Sequence, residues 1–428
     1  MAVEKTDTLV VGAGQAGLAT SEHLGNLGVP HIVLERDRIA ERWRTQRWDS
    51  LVANGPAWHD RFPTLEFSGM DGDAFAGKDR VAEYFEEHAK QTGAPVRCGV
   101  EVLKARRNAG GGGFTVETST GVIEARRIVA ATGPFQVPVI PPIVPVDAGV
   151  TQMHSADYRN PGQLAEGAVL IVGGGSSGVQ IADELMQAGR DVYISVGPHD
   201  RPPRAYRGRD FVWWLGVLGL WDMAAPPKWA EHVTIAVSGA DGGHTIDYRK
   251  LAAKGMTLVG RTESYENGVV KFAGDLKANI EAGDANYLGL LEAADAYIAR
   301  EGLDLPEEPE AKVIGPDPDC MVRPVRELDL AEAGVSTIIW ATGFRVDFGW
   351  LEAETFDAEG RPIHQRGVSK EPGVYFVGLP WLSRRGSSFI WGVWHDAKFI
   401  ADQIAIQRSY AAYRGPGENT EARLDAAQ

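Results

Sequence analysis

Residues 6–35, TDTLVVGAGQAGLATSEHLGNLGVPHIVLE, decide the fold. The apolar run 9–11 predicts a strand, and the turn 12–17 that follows it has the spacing GxGxxG. A helical segment and a second apolar run then lead to Glu35. A strand, a glycine turn, a helix and a strand within about 30 residues form the context in which this spacing binds a dinucleotide.

Each glycine of this spacing has a separate physical task. Gly12 permits the tight turn, Gly14 lets the backbone approach a pyrophosphate, and Gly17 lets the helix pack closely against the strand. The first-turn amides, including those of Gln15 and Ala16, then face the phosphates. Glu35, at the tip of the second strand, is placed to accept hydrogen bonds from both hydroxyls of an adenosine ribose. This position near Met1 and the terminal Glu favour FAD without deciding against NAD.

The composition excludes several classes of protein. The chain has 428 residues, a formal charge of −15 and a pI near 5.2, so a nucleic-acid partner is not expected. Its two cysteines, Cys98 and Cys320, exclude a disulfide scaffold, a CxxC redox pair and a cysteine-built zinc site, and no metal is predicted. The first strand begins within ten residues of Met1, so we expect no signal peptide and a cytoplasmic protein.

The longest apolar stretch is residues 211–221, FVWWLGVLGLW. Eleven residues are too few for a transmembrane segment, which needs about 20. We interpret the stretch as a core or pocket-wall helix, with an interfacial membrane contact as the alternative.

A second fingerprint begins after Ala168 and repeats the glycine spacing of the first. The residue eighteen positions after its last glycine is Val196, where the first copy has Glu35, and four arginines follow between residues 201 and 209. Loss of the acid and gain of arginine favour NADPH over NADH, although these arginines could instead only solvate a loop. The predicted NADPH contacts are Gly173, Gly175, Ser176, Ser177, Gly178, Ser195, Arg201 and Arg204.

Each fingerprint has a matching closing strand that ends in Ala-Thr-Gly. These closures are Ala131, Thr132, Gly133 and Ala341, Thr342, Gly343, and a last strand ends at Gly378. The arrangement predicts an α/β protein of two Rossmann-like, three-layer domains with parallel central sheets and a β-meander over 96–131, the NADPH domain being inserted into the FAD domain. We predict an FAD domain over 1–160 and 326–412, an NADPH domain over 161–325 and a polar tail over 413–428.

Two further regions are candidates for covering the flavin and the substrate. Arg36, Arg42 and Trp43 lie just past the ribose-binding strand. Near the end of the chain, a helix after Gly386 would bring its N-terminus, with Ser388, toward the flavin pyrimidine. Trp391 and Trp394 follow and could line an apolar substrate pocket, although aromatic residues at such spacing also pack in cores.

These motifs together resemble the class B flavin-dependent monooxygenases, and more narrowly the bacterial CzcO-like NADPH- and FAD-dependent oxidoreductases, over nearly the whole chain. The pieces that carry the resemblance are the two fingerprints, Arg42-Trp43, Leu51-x-x-Asn54-Gly55-Pro56, Ala341-Thr342-Gly343-Phe344 and Val377-Gly378-Leu379-Pro380-Trp381.

The resemblance implies an NADPH-dependent flavin monooxygenase. In such enzymes NADPH reduces FAD, the reduced flavin adds O2 at C4a, and the resulting hydroperoxide or peroxide transfers one oxygen atom to a small organic molecule. We expect an apolar or aromatic substrate, with N- or S-oxygenation favoured. The resemblance also implies that Asn54 lies beside flavin C4a as a catalytic residue, although an Asn-Gly-Pro sequence is also an ordinary turn.

The resemblance leaves alternatives open. The family's linker signature is only half present: His154 and Tyr158 match, but Ala148 and Val150 replace its Phe and Gly. A Baeyer–Villiger enzyme would carry Trp where Tyr158 stands, which disfavours oxygen insertion into a carbonyl without excluding it. An NADPH oxidase that produces H2O2, a flavin disulfide reductase and a flavin-binding sensor without turnover are the other readings. A homodimer is compatible with the sequence, which specifies neither the oligomeric state nor the substrate.

Overall fold

A computed structural model describes residues 3–225 and 235–413 of the chain. The strands in these ranges are β1 Glu4–Val11, β2 His31–Leu34, β3 Val96–Arg97, β4 Val102–Arg107, β5 Phe114–Thr118, β6 Gly121–Ala130, β7 Val137–Pro138, β8 Thr151–His154, β9 Ala168–Val172, β10 Val192–Ser195, β11 Ala205–Tyr206, β12 Arg209–Asp210, β13 Thr257–Val259, β14 Thr262–Glu266, β15 Val269–Phe272, β16 Glu327–Asp329, β17 Val335–Trp340, β18 Phe344–Arg345, β19 Leu351–Glu352, β20 His364–Gln365, β21 Val368–Ser369 and β22 Val374–Phe376. The helices are α1 Gln15–Asn26, α2 Glu41–Thr45, α3 Lys78–Thr92, α4 Ser176–Gln187, α5 Phe211–Val217, α6 Tyr248–Ala253, α7 Leu276–Glu301, α8 Asp319–Val322 and α9 Ile390–Ala412.

The first sheet is built around β1. Strands β3, β2, β1 and β6 lie side by side and run parallel, and β22 continues the parallel ladder along the end of β6. The beginning of β6 pairs with β5, and β5 with β4, in antiparallel fashion. This part is the predicted meander. Helix α1 connects β1 to β2, as a dinucleotide-binding unit requires.

The second sheet repeats this arrangement. Its order is β13-β10-β9-β17-β8, and every pair is parallel. Helix α4 connects β9 to β10, and a small antiparallel sheet, β14-β15-β16, accompanies it as the meander accompanies the first. The prediction of an α/β protein with two Rossmann-like domains is therefore confirmed.

The chain passes between the two sheets at two places that lie next to each other. Strand β7 precedes the second sheet, β18 follows it, and the two form an antiparallel pair. Strands β8 and β17 lie outside the predicted range 161–325, yet both belong to the second sheet because they extend its parallel ladder from β9. We therefore propose that the inserted unit spans about residues 151–340. Of the predicted tail, residues 414–428 lie outside the described ranges.

The apolar stretch 211–221 is part of the protein core. Helix α5 buries Phe211, Val212, Trp214 and Leu215, and Trp221 is buried in the turn that follows. This agrees with the core-helix interpretation. In the part of the chain that the structure describes, no helix is both long and apolar enough to cross a membrane.

Candidate active site

The first fingerprint turn is closed so tightly that two of its positions admit only glycine. Gly12 has φ +106°, and a Cβ there would lie 2.7 Å from the carbonyl oxygen of Ala131. A Cβ on Gly17 would lie 1.8 Å from the carbonyl oxygen of Gly12, because α1 rests directly on the turn. Beside Gly14, in contrast, there is open space. The turn thus presents bare backbone to a space that a ligand could fill.

Helix α1 begins at this turn without a capping side chain. Its N-cap, Gly14, offers no hydrogen-bonding side chain to the first-turn amides. Helices α5 and α6 differ, since the carboxylates of Asp210 and Asp247 cap them. Uncapped amides and the positive end of the helix dipole are suited to an anion such as a diphosphate.

The carboxylate of Glu35 lies at the rim of the same turn. Its two oxygens accept hydrogen bonds from the backbone N–H groups of Ala13, at 2.8 Å, and Asp37, at 3.1 Å. These bonds hold the acid in one orientation while leaving lone pairs for further donors. Arg36 points to solvent and pairs with Asp37, so the structure does not bring it toward the turn.

The end of the chain closes over the first fingerprint. A Cβ on Gly378, whose φ is +83°, would lie 2.7 Å from Ala16 Cβ, and the Gln15 side chain donates to the carbonyl oxygen of Ser388 at 2.7 Å. Helix α9 begins two residues after Ser388 and also lacks a capping side chain. Two uncapped helix N-termini therefore lie close together.

In the Ala131 closure, Thr132 accepts a hydrogen bond from Gln136, and Gly133 has φ +76°.

Two arginines near this turn have no carboxylate partner in the described ranges. Arg42 donates to the carbonyl oxygens of Phe135 and Gln136, and Arg47 donates to that of Gln46. Burial lowers the pKa of both guanidinium groups, and for Arg47 burial together with the nearby charge of Arg42 lowers it to about 10. Trp43 packs against the hydrophobic cores of both units. The arginine pair supplies positive charge that a bound diphosphate would neutralise.

The second fingerprint has the same backbone geometry. Gly173 has φ +117°, a Cβ there would lie 2.5 Å from the carbonyl oxygen of Ala341, and a Cβ on Gly178 would lie 1.8 Å from that of Gly173. Its N-cap, Gly175, likewise provides no side-chain cap for α4. The residues at the helix start differ in exposure. Ser177 is exposed, whereas Ser176 donates to the carbonyl oxygen of Ile235 at 2.7 Å.

The residues predicted to bind the 2′-phosphate have internal partners instead. Ser195 is buried and donates to the carbonyl oxygen of Gly260. Arg201 pairs with Asp284, and Arg204 makes a two-pronged pair with Asp210 at 2.5 and 2.6 Å. The assignment of the phosphate to Arg201 or Arg204 therefore stays a prediction without geometric support.

Another arginine lies at the tip of β10. Arg261 Cγ would be 3.4 Å from a Cβ on Gly197, two residues after β10, and the Arg261 side chain is 63% exposed. Its Nε donates to Asp275 at 2.6 Å, and its two terminal nitrogens have no hydrogen-bond partner among the described residues. Because it comes from the neighbouring strand, its position could not be recognised from spacing along the chain.

Asn54 lies where the two units meet. Its side-chain oxygen Oδ1 accepts a hydrogen bond from Gln180 Nε2 at 2.9 Å, and its backbone carbonyl accepts one from Arg204 Nη1 at 2.6 Å. Sequence reasoning did not identify Gln180, which is only two residues past the last glycine of the second fingerprint.

His154 is fully buried and donates from Nε2 to the carbonyl oxygen of Gly343, so it joins the two crossing segments. Burial lowers its pKa more than this bond raises it. Thr342 likewise donates to the carbonyl oxygen of Val139.

The two predicted pocket tryptophans point to different places. Trp391 stacks on His59, and Trp221 lies against His59 too, with ring centroids 5.9 and 5.3 Å away and interplanar angles of 24°. Trp394 instead donates its indole N–H to the buried Glu22 and packs within the first unit. Only Trp391 remains a candidate for a pocket wall.

A cleft of about 340 Å³ is lined by Phe211 and Leu215, which belong to the same apolar cluster as Trp221 and Trp391, although neither tryptophan lines the cleft itself. Its walls are mainly apolar and include Phe211, Leu215, Leu220, Ile235 and Leu290, with Asp200 and Arg385 as charged lining residues. These two form an ion pair at 3.5 Å, and the Arg385 guanidinium, 17% exposed, has no other charged partner in residues 3–225 and 235–413. Burial raises the pKa of Asp200 and lowers that of Arg385. Within the described ranges no group of three or more His, Cys, Asp or Glu residues is placed to hold a metal ion.

Comparison with known proteins agrees with this geometry. Residues 9–205 match the family model described as pyridine nucleotide-disulphide oxidoreductase. An uncharacterised CzcO-like oxidoreductase of Geobacillus kaustophilus is 33% identical over 93% of this chain and 98% of its own length. Indole-3-pyruvate monooxygenase YUCCA1 of Oryza sativa subsp. japonica is 28% identical over 93% of this chain and 91% of its own. Among solved structures, a flavin-containing monooxygenase from Stenotrophomonas maltophilia shares the fold, with a TM-score of 0.66, 18% identity, and coverage of 96% of this chain and 100% of that chain.

Proposed function

The chain belongs to the family of CzcO-like oxidoreductases, related to flavin monooxygenases, and we propose that it is an NADPH-dependent, FAD-containing monooxygenase. In the proposed reaction it consumes NADPH, one proton and O2, inserts one oxygen atom into a small organic substrate and releases the other as water. Two electrons from NADPH and two from the substrate account for the four that reduce O2. N- or S-oxygenation is the favoured form.

The two dinucleotides fit the two fingerprints. We propose that FAD is held by the first-turn amides of α1, by Glu35 at the ribose and by the positive charge of Arg42 and Arg47. NADPH would be held by the first-turn amides of α4, with Arg261 at the 2′-phosphate. Bound FAD would supply the chemistry that the side chains lack, namely acceptance of hydride from NADPH and activation of O2.

The observation that carries the proposal is the position of Asn54. It belongs to the first unit, yet its amide is bonded to the first turns of the helix that begins at the second fingerprint. A hydrogen-bonding side chain between two dinucleotide sites can contact the reacting part of a flavin or a substrate. The stacked rings of Trp221, His59 and Trp391 nearby would exclude water, which favours oxygen transfer over release of H2O2.

The adjacent cleft suggests the substrate class. Its apolar walls suit an aliphatic or aromatic body, and the guanidinium of Arg385 has donors left for a carbonyl or carboxylate oxygen. We therefore propose a small apolar molecule that carries one such oxygen. YUCCA1 of rice, by its name, acts on an aromatic oxo acid, which is of this chemical type.

Rapid-mixing absorbance of the purified protein tests the proposal. We expect bound flavin, anaerobic bleaching by NADPH, and, after mixing with O2, an absorbance transient that differs from both oxidised and reduced flavin. Direct return of oxidised flavin with one H2O2 per NADPH would identify an NADPH oxidase instead. Absence of bleaching would contradict both activities.

A further inference from the structure

The loop that carries Asn54 is held by residues of the other unit. Gln180 Nε2 bridges Asn54 Oδ1, at 2.9 Å, and the carbonyl oxygen of Val237, at 2.6 Å. Arg204 Nη1 donates to the backbone carbonyl of Asn54 at 2.6 Å. A Cβ on Gly239 would lie 2.3 Å from the carbonyl oxygen of Ala53, so the two backbones are in direct contact there. The second unit therefore fixes both the backbone and the amide of Asn54.

The arginine in this contact is itself immobilised. Arg204 is buried, its guanidinium is paired with both oxygens of Asp210, and it lies 4.8 and 4.4 Å from the ring centroids of Phe75 and Phe211. Phe75 comes from the first unit and Phe211 from the second. Because the pair and both rings hold the guanidinium, its bond to Asn54 is a rigid contact between the units.

The bond from Gln180 determines which end of the Asn54 amide is available. Since Nε2 of Gln180 is a donor, it selects Oδ1 of Asn54 as its acceptor. The other end, Nδ2, then points away from Gln180 and has no hydrogen-bond partner among the described residues. Asn54 can thus act as a donor toward whatever occupies the space between the two fingerprints.

Gln180 also belongs to the helix that would bind the second dinucleotide. Ser176 and Gln180 are one turn apart on α4 and donate to the carbonyl oxygens of Ile235 and Val237, respectively. These two bonds tie the start of α4 to the segment from Ile235 to Val237. A change in the position of this turn would be transmitted directly to the amide of Asn54.

We propose that Gln180 is a positioning residue for the oxygenation reaction, which holds the Asn54 amide with Nδ2 as donor and links its orientation to the NADPH site. The inference rests on the proposed function, because it takes Asn54 as the residue that contacts the flavin or the substrate. Gln180 itself need not touch either.

Replacing Gln180 by Glu is the sharpest test, because the change keeps the shape and removes the donor to Asn54 as well as the bond to the carbonyl oxygen of Val237 that ties α4 to that segment. A carboxylate can only accept, so Asn54 would turn Nδ2 toward it and present Oδ1 to the site. We expect FAD content and the rate of anaerobic reduction by NADPH to stay within about twofold, while the transient after O2 mixing decays and releases H2O2 about tenfold faster. Without turnover, the change in the flavin absorbance spectrum on NADP+ binding should shrink at least about twofold, since the link is weakened.

Gln187→Glu is the matched control, since Gln187 lies exposed at the end of the same helix. It should leave every readout unchanged. Asn54→Asp supplies the second variant: its carboxylate can still accept from Gln180 but offers no donor to the site, so it should reproduce the faster decay. The double variant combines Gln180→Glu with Asn54→Ala, because carboxylates at both positions would repel each other at about 2.9 Å. It should be no worse than Asn54→Ala alone, since there is then no amide left to orient.

The outcomes separate the two proposals. If the unaltered protein is not bleached by NADPH, the proposed function fails and the inference with it. If the unaltered protein is bleached and forms the transient, but Gln180→Glu behaves as Gln187→Glu or adds fully to Asn54→Ala, only the role of Gln180 is overturned. Loss of FAD in Gln180→Glu with a normal transient in Asn54→Asp would also overturn it, as Gln180 would then act in folding.

Discussion

The two fingerprints have the same backbone but different residues at the point where a ribose would bind. In both, a Cβ on the last glycine would lie 1.8 Å from the carbonyl oxygen of the first, and a closing Ala-Thr-Gly strand restricts the first glycine. The structures diverge at the second residue of the turn. Ala13 N–H is bonded to Glu35, whereas the carbonyl oxygen of Gly174 accepts from the phenol of Tyr248.

This difference explains why the second copy has a glycine, Gly174, where the first copy has Ala13. A Cβ on Gly174 would lie 2.8 Å from Tyr248 Oη and 3.2 Å from Val196 Cγ1. Where the first copy uses a carboxylate to fix the turn, the second uses a buried tyrosine and has valine in place of the acid. Tyr248 is fully buried, which raises its pKa, so the phenol stays protonated over the working range. The same turn is thus fixed in two ways, and only one leaves an acid for a ribose.

The largest expected effects come from alanine at the last glycine of each copy. The added Cβ meets backbone, which cannot move aside, so we expect a local cost of about 1–3 kcal/mol or more in each case. Gly17→Ala should be purified largely without FAD. Gly178→Ala should retain FAD, but NADPH should reduce it at least about 100-fold more slowly, as measured by anaerobic stopped-flow absorbance.

Gly25→Ala is the control for both variants. It lies in α1, where an added Cβ meets nothing within 4 Å, so FAD content and reduction rate should not change. Normal reduction of Gly178→Ala by NADPH would show that the second copy is not the NADPH site, and the comparison would then concern the fold alone.

The features of the two fingerprints that can be predicted from the sequence are those set by short-range steric contacts. The first and last glycines of each copy are predictable because a Cβ on Gly17 or Gly178 would meet the first glycine of its own turn, and a Cβ on Gly12 or Gly173 would meet the closing strand. The layout of an inserted unit followed from the same repeats. The cofactors predicted from them remain proposals.

The missed features depend on residues distant in the chain. Tyr248 is 74 residues from Gly174 and Gln180 is 126 from Asn54, and no local pattern indicates either pairing. Arg204 is a different case, because its partner Asp210 is only six residues away, yet the spacing of the arginines does not show that these two side chains pair in the folded loop. The predicted FAD range 1–160 includes the short edge strand β8, which pairs with β17 of the second sheet, and local patterns do not indicate this because parallel pairing joins segments far apart.

The next largest effect is expected from Glu35, the acid that the second copy lacks. Glu35→Ala removes the partner of the Ala13 amide and the proposed ribose acceptor, so the affinity for FAD should fall about 10- to 100-fold. Dissociation can be followed by the fluorescence of released flavin. Glu41→Ala, which removes a partner of Arg38 on the surface, should have no such effect. Unchanged FAD affinity in Glu35→Ala would mean that this carboxylate only stabilises the turn.

A smaller effect should distinguish the arginine at the second copy. Arg261→Ala should lower the preference for NADPH over NADH about tenfold, through KM for NADPH rather than kcat. Arg300→Ala, an exposed arginine at the end of α7 paired with Glu301, is the control. If the preference for NADPH stays unchanged, the 2′-phosphate would have to bind Arg201 or Arg204. The ion pair of that arginine with Asp284 or Asp210 would then have to open.

The smallest effect concerns an acid that both copies carry five residues after the last glycine. In the first, burial would raise the pKa of Glu22, but hydrogen bonds from His88, Trp394 and Thr64 outweigh burial and lower it. In the second, Asp183 is 3.4 Å from His244, and this bond raises the pKa of His244. A carboxylate whose pKa is lowered in the folded protein, such as that of Glu22, stabilises the fold above its ordinary pKa of 4.5. This stabilisation is lost as the pH falls through the pKa of the folded state. A histidine whose pKa is raised in the folded protein, such as His244, stabilises the fold below its ordinary pKa of 6.5. This stabilisation is lost as the pH rises.

The contribution of His244 should therefore be fully present below its ordinary pKa of 6.5 and be lost as the pH rises above that value. His244→Gln should lower the free energy of unfolding at pH 5.5, by less than about 1 kcal/mol because the imidazole is partly exposed, and should have no effect at pH 9. Urea titrations of both proteins at the two pH values measure this. An equal loss of stability at both pH values would mean that His244 acts by packing. The acids of the two helices would then differ in kind, since Glu22 lies in a buried hydrogen-bonded network and Asp183 lies beside a neutral ring.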